Sequence, residues 1–166
     1  MLEQSKFREI VKNAPLVSMD LIVRNQSNKV LLGLRKHSPA KSTWFVPGGR
    51  IWKDEKIDAA FRRITEGEVG IALDLKNARF LGVFEHLYKE NFADEPDFGT
   101  HYIVIAYEIK LLAEHPALPL IQHSDYQWMS EKHLLQDTAV HPYTKDYFLQ
   151  GKMADQHLRN LSDTDE

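Results

Sequence analysis

The sequence contains no cysteine. That removes disulfide frameworks, thiolate nucleophiles and Cys-ligated zinc from its possible chemistry. It has no apolar run approaching the length that spans a bilayer, so no segment reads as a membrane helix. An excess of one charge is also lacking: 21 Lys and Arg stand against 24 Asp and Glu, for a net charge of −3. Nucleic acids and anionic membranes attract proteins through clustered positive charge, so neither is an expected partner. The eight histidines form no HExxH-type pair, which argues against zinc. Residues 1–15 carry acids and no apolar stretch of signal-peptide length, and the expectation is a soluble, cytoplasmic protein.

What is present is a globular composition, 43% hydrophobic and 27% charged, over 166 residues. A chain of this length buries roughly 70% of the surface its unfolded form exposes and needs no covalent staple. One domain over 1–166 is expected, with an N-terminal helix inside 1–14 and a frayed acidic tail at 160–166. Phe7, Ile10 and Val11 give that first helix its apolar stripe. Strands are predicted over Leu16–Val23, Val30–Leu34, Trp44–Val46, Arg79–Tyr88, His101–Leu111 and Tyr126–Trp128. A helix capped by Asp54 carries Ile57, Ala60, Phe61 and Ile64 on one face and ends near Gly70. Ser130 caps a short helix through Leu135, and a last helix is expected around Tyr143–Gln150. Trp44, Phe45, Phe80 and Trp128 are read as core. The fold class is α/β, with one sheet between helices.

The segment GGRIWKDEKIDAAFRRITEGEVGI, from Gly48 to Ile71, carries the most chemical information. Gly48 and Gly49 let the backbone turn and approach a ligand closely. Gly49, Glu55, Arg63 and Glu68-Val69-Gly70-Ile71 fall at the spacing of the Nudix box, the diphosphate-hydrolase signature, which this segment resembles. A full box sets three carboxylates at i, i+3 and i+4 on one helix face, converging on divalent cations. Here those positions hold Ile64, Gly67 and Glu68. Glu66 does not replace them, because two residues of helix turn it about 200° from Glu68. One helical acid supports one metal ion rather than a cluster. Gly67 costs about 1 kcal/mol relative to Ala inside a helix, which suggests close approach to the backbone there. Arg63 reads as a brace pairing with a nearby carboxylate.

A box reduced to its last glutamate is similar to one branch of that superfamily, the GDP-mannose mannosyl hydrolases. PLVSMDLIV, LLGLRKHSPA, WFVPGGR, FGTHYIV and IQHSDYQW also look like segments of that family, so the resemblance covers most of the chain. It implies a Nudix-type α/β/α sandwich with a mixed central sheet. It further implies hydrolysis of GDP-mannose, and of GDP-glucose, to GDP and free sugar by water attacking the anomeric carbon with inversion. The implied cofactor is one Mg²⁺ per site, with Mn²⁺ able to substitute, bound by the Gly48 carbonyl, the Glu68 carboxylate and the Gln122 amide oxygen. Arg35, Arg50 and Tyr102 are the implied phosphate contacts. His123 is the implied general base, set on a loop, Pro116–Ser124, that closes over the sugar. Asp20 matches an active-site acid touching the sugar or orienting groups near His123, although an acid within an apolar strand is equally read as a satisfied buried group. Phe7 lies where the family approaches the guanine, and a plain core or interface role competes with stacking on the base. A homodimer is expected by the same resemblance. His86 and His101 are read as non-catalytic. Two other readings stay open: a nucleoside-diphosphate-sugar pyrophosphatase attacking phosphorus, and a nucleotide-binding domain without catalysis.

Overall fold

The computed structural model describes residues 3–111 and 118–149. The acidic tail at 160–166, Gln150, and residues 116 and 117 of the expected closing loop lie outside the described residues. Helix α1 (Gln4–Asn13) leads into β1 (Leu16–Arg24), then β2 (Val30–Arg35), β3 (Trp44–Phe45) and β4 (Gly48–Arg50). Helix α2 (Ile57–Val69) and a single 3₁₀ turn (Leu75–Asn77) precede the long strands β5 (Arg79–Tyr88) and β6 (Thr100–Lys110). Strand β7 (His123–Met129), α3 (Glu131–Gln136) and α4 (142–149) complete the described chain.

The strands form one mixed sheet in the order β3-β2-β1-β6-β5, with β4 also on β1 and β7 also on β2. β1 runs parallel to β6, and the other pairs are antiparallel. Every residue of β1 but Val17 is buried, because both faces of this central strand are covered. Met19, Leu21 and Val23 meet Ala60, Phe61 and Ile64 of α2 on one side. Ile22 faces Leu134 of α3 and Tyr147 and Phe148 of α4 on the other. The α/β/α layering expected above is the observed one. Among the described residues no helix is long and apolar enough to cross a membrane.

Four local expectations need correction. Asp54 does not cap α2; it lies in the left-handed region at φ 65 and the helix begins three residues later. Glu55 causes this, since it accepts from the Trp52 amide at 3.0 Å and pairs with Arg63 at 2.7 Å, folding the chain back before the helix starts. Nothing approaches Gly67: a Cβ there would meet no atom within 4 Å. Phe80 is 56% exposed, not core, because α2 leaves that part of edge strand β5 uncovered, along with Val83 and Leu87. β7 begins at His123, earlier than predicted, so His123 belongs to a strand rather than to a loop. Gly70, at φ 77, ends α2 as its lack of a Cβ suggests.

Candidate active site

β1 and β4 run side by side with Asp20 opposite Gly48. The contact is so close that a Cβ on Gly48 would stand 2.5 Å from Asp20 Oδ1 and 2.7 Å from the Met19 carbonyl. Only glycine fits. Around this point a cleft of about 320 Å³ opens, lined by Asp20, Arg35, Gly48, Arg50, Tyr102 and Gln122. Six of the residues named from the sequence thus come together from β1, β2, β4, β6 and the segment before β7.

The cations in the cleft are held by their surroundings. Arg35 donates through Nε to the Pro39 carbonyl at 2.9 Å and lies over the Phe45 ring. Arg50 lies 4.1 Å from the centre of the Phe7 ring, which also packs on Phe92. Phe7 is therefore at the rim, carrying a guanidinium on its face. Tyr102 lines the cleft from β6, and burial raises its hydroxyl pKa.

Glu68 projects from the last turn of α2 and is 6% exposed. Its Oε1 accepts from the Gln122 amide at 2.5 Å, while Oε2 is buried without a hydrogen-bond partner among the described residues. Burial is the main cause that pushes its carboxyl up to about 7; Arg35 opposes the shift and Asp20 adds to it. A buried carboxylate with an unused oxygen, an amide side chain against it and a glycine backbone in the same cleft form a set of hard oxygen donors. Such a set suits one Mg²⁺ or Mn²⁺ with water completing the shell. Ile64, at the first acid position of the box, instead packs toward Gly49, 3.3 Å from the place of a Cβ there.

His123 is not on the cleft surface. Its ring is 1% exposed and presses on β2 where Gly33 leaves room; a Cβ at Gly33 would come within 2.4 Å of it. Nδ1 lies 3.2 Å from the Tyr126 hydroxyl and 3.7 Å from Glu68 Oε2. Nε2 has no partner among the described residues. Burial, helped by Arg35 and Lys36, lowers its pKa to about 4, so the ring is neutral at pH 7. The segment in front of it is tied down by Tyr126 donating to the Pro119 carbonyl at 2.7 Å and Lys36 to that of Leu120 at 2.6 Å.

Two groups form the inner wall: His86, read from the sequence as non-catalytic, and Tyr147, which the sequence did not single out. His86 on β5 lines the cleft, and Tyr147 on α4 lies behind it. The Tyr147 hydroxyl donates to Asp20 Oδ2 at 2.5 Å and meets His86 Nε2 at 3.2 Å. Burial pushes the Asp20 carboxyl up to about 6, against the Tyr147 hydrogen bond and Arg35, and lowers His86 to about 4. The only sequence hint was an acid inside an apolar strand, which needs a buried donor.

Comparison with known proteins bears on the family and the fold. The family model of the NUDIX domain matches residues 14–150. The low-salt glycan biosynthesis protein Agl8 of Haloferax volcanii is 33% identical over 146 residues, covering 88% of each chain. The crystal structure of the MutT protein from Methanosarcina mazei Go1 superposes with a TM-score of 0.68 at 20% identity, covering 86% of this chain and 97% of that one. The NUDIX domain of Shewanella oneidensis NrtR, solved as a complex with ADP ribose, gives 0.61 at 16% identity over 95% and 99% of the two chains. At these identities the two structures speak for the fold alone.

Proposed function

The chain belongs to the Nudix hydrolase family, and from that premise we propose that it hydrolyses a GDP-sugar, GDP-mannose or GDP-glucose, to GDP and free sugar. Water attacks the anomeric carbon with inversion. The observation that carries this reading is the chemistry of the box helix: Glu68 is its single carboxylate at the metal-binding positions, with Ile64 and Gly67 beside it. Attack of water on phosphorus assisted by several cations draws on a cluster of acids, whereas a departing diphosphate needs its charge neutralised once. The glycan-biosynthesis relative supports a sugar nucleotide as the substrate class.

Nudix hydrolases generally use divalent cations such as Mg²⁺. Here the Glu68 carboxylate, the Gln122 amide oxygen and the Gly48 carbonyl would hold one, and it would neutralise charge on the leaving diphosphate. Arg35 and Arg50 clamp phosphate oxygens with planar, paired donors. Tyr102 adds a neutral hydroxyl. Asp20 presents a carboxylate oxygen beside Gly48, suited to a sugar hydroxyl. Phe7 holds Arg50 at the rim, where a guanine can stack.

His123 accepts the proton of the attacking water. Its neutral ring and unpartnered Nε2 support the role. Because the ring is buried, the role requires the segment tied by Tyr126 and Lys36 to open. A homodimer would cover the exposed Phe80, Val83 and Leu87 of β5, and sedimentation at micromolar concentration tests that.

The decisive experiment is hydrolysis of GDP-mannose with Mg²⁺ in ¹⁸O-water. Labelled mannose and unlabelled GDP are expected. GMP with mannose 1-phosphate would replace the reading with a pyrophosphatase, and tight binding without turnover would leave a binding domain. His123→Gln is expected to lower kcat by about 10²–10⁴. Full turnover in that variant would pass the base role to Asp20, the carboxylate that lines the cleft.

A further inference from the structure

Helix α4 presents Tyr143 and Tyr147, four residues apart, on one face toward the inner wall of the cleft. Tyr143 stacks flat on the His86 imidazole, with centroids 4.3 Å apart and planes 3° from parallel. Its hydroxyl is fixed twice to β5, accepting from the Leu87 amide at 2.9 Å and donating to the Leu87 carbonyl at 2.8 Å. Tyr147 packs its ring edge-on to Phe84 at 4.7 Å. Its hydroxyl sits between His86 Nε2 and Asp20 Oδ2. A hydroxyl has one proton. Since Asp20 takes that proton's hydrogen bond, His86 must carry its own proton on Nε2 and donate to Tyr147.

We propose that Tyr147 is a positioning residue for Asp20: backed by His86, its hydroxyl engages Oδ2 and so fixes Oδ1 beside Gly48 as the oxygen turned to the substrate. The catalytic meaning of this rests on the function proposed above, but the arrangement itself does not. A hydroxyl that merely satisfies a buried acid would stabilise the fold without directing the chemistry. The geometry argues for direction. Asp20 has two oxygens in different settings, one locked behind the wall and one beside Gly48, 2.5 Å from where a Cβ on that residue would stand. The donor that locks the first is held by a histidine that is itself clamped by a second tyrosine. Losing the lock lets the carboxylate rotate, and a misplacement of about 1 Å at a reacting centre can cost on the order of 10²-fold in rate.

Tyr147→Phe keeps the ring contact with Phe84 and removes only the hydroxyl. The expected result is a kcat lower by roughly 10- to 100-fold with KM within about threefold. In an Asp20→Asn background the same substitution should lower kcat no further, because Tyr147 acts through Asp20. His86→Leu should lower kcat as well, and His86→Gln, whose amide can donate in place of Nε2, should restore most of it. Unchanged kcat in Tyr147→Phe, or an equal fold-loss with and without the Asp20 carboxylate, overturns the proposal. If Tyr147→Phe does not fold, the two His86 variants decide. The ¹³Cγ resonance of Asp20 gives a readout that needs no substrate: it should shift in Tyr147→Phe, and an unshifted resonance also overturns the proposal. A wild-type protein that hydrolyses no GDP-sugar would refute the proposed function instead, leaving the resonance to settle the positioning.

Discussion

Two corners of the same cleft are built on opposite terms. At the inner wall, Asp20, Tyr147, His86 and Tyr143 form a chain in which each buried polar atom has a partner. At the outer corner, Glu68 and His123 lie 3.7 Å apart, and each keeps a buried atom that no described residue bonds. An unsatisfied buried polar atom costs roughly 1–3 kcal/mol. The wall is thus complete as protein, whereas the corner retains acceptor capacity at a cost to stability. That unused acceptor capacity is what the proposed cation site and general base draw on.

The strongest way to break this contrast is Glu68→Gln. With the charge gone from the corner, kcat should fall by about 10³-fold and Mg²⁺ affinity, measured by calorimetry, by at least about tenfold. Unaltered cation affinity would mean that the corner is not the cation site.

The pH response sharpens the same contrast in protein without added cation. Burial raises the Glu68 carboxyl from 4.5 to about 7, so the folded state holds that proton more tightly than the unfolded chain. Stability from this group is full below about pH 4.5 and is lost as pH rises through about 7, by up to roughly 3 kcal/mol. Burial of His123, lowered to about 4, works in reverse: its contribution is full above about 6.5 and is lost as pH falls through about 4. Glu68→Gln removes the first slope only. Its melting temperature relative to wild type should therefore be higher at pH 8 than at pH 5; a constant difference would disprove the shift.

Gly48→Ala attacks the point where the wall meets the cleft floor. The added methyl would meet Asp20 Oδ1 and the Met19 carbonyl, and a stability loss of about 1–3 kcal/mol is expected in denaturant titration. The smallest effect is expected outside both corners. Gly67→Ala, exposed on α2 with no atom near the new methyl, should stabilise by about 1 kcal/mol and leave kcat within twofold.

The sequence made the local parts of this architecture legible. Apolar β1, the stripe Ala60, Phe61 and Ile64, and the terminal Gly70 follow from period and backbone freedom, and the structure contains them. Asp54 misled because a local capping preference gave way to the Glu55–Arg63 pair eight residues apart. His123 misled because the polar run His-Ser-Asp reads as a loop, while its pairing with β2 and its seat on Gly33 are tertiary facts. Tyr147 was invisible for a stronger reason. Its partner Asp20 stands 127 residues away, and no periodicity links them.

That separation has a consequence for how the molecule is made. Asp20 leaves the ribosome early, together with the strand that will hold it, and the box helix follows soon after. The donor that will fix its carboxylate is among the last described residues to be synthesised. A nascent chain halted before residue 142 would already contain Arg35, Glu68 and the whole glycine loop, yet its acid would have no Tyr147 to turn it. The inner wall is therefore closed by the far end of the described chain: the strand that carries Asp20 and the hydroxyl that engages its Oδ2 meet only when α4 packs back onto the sheet.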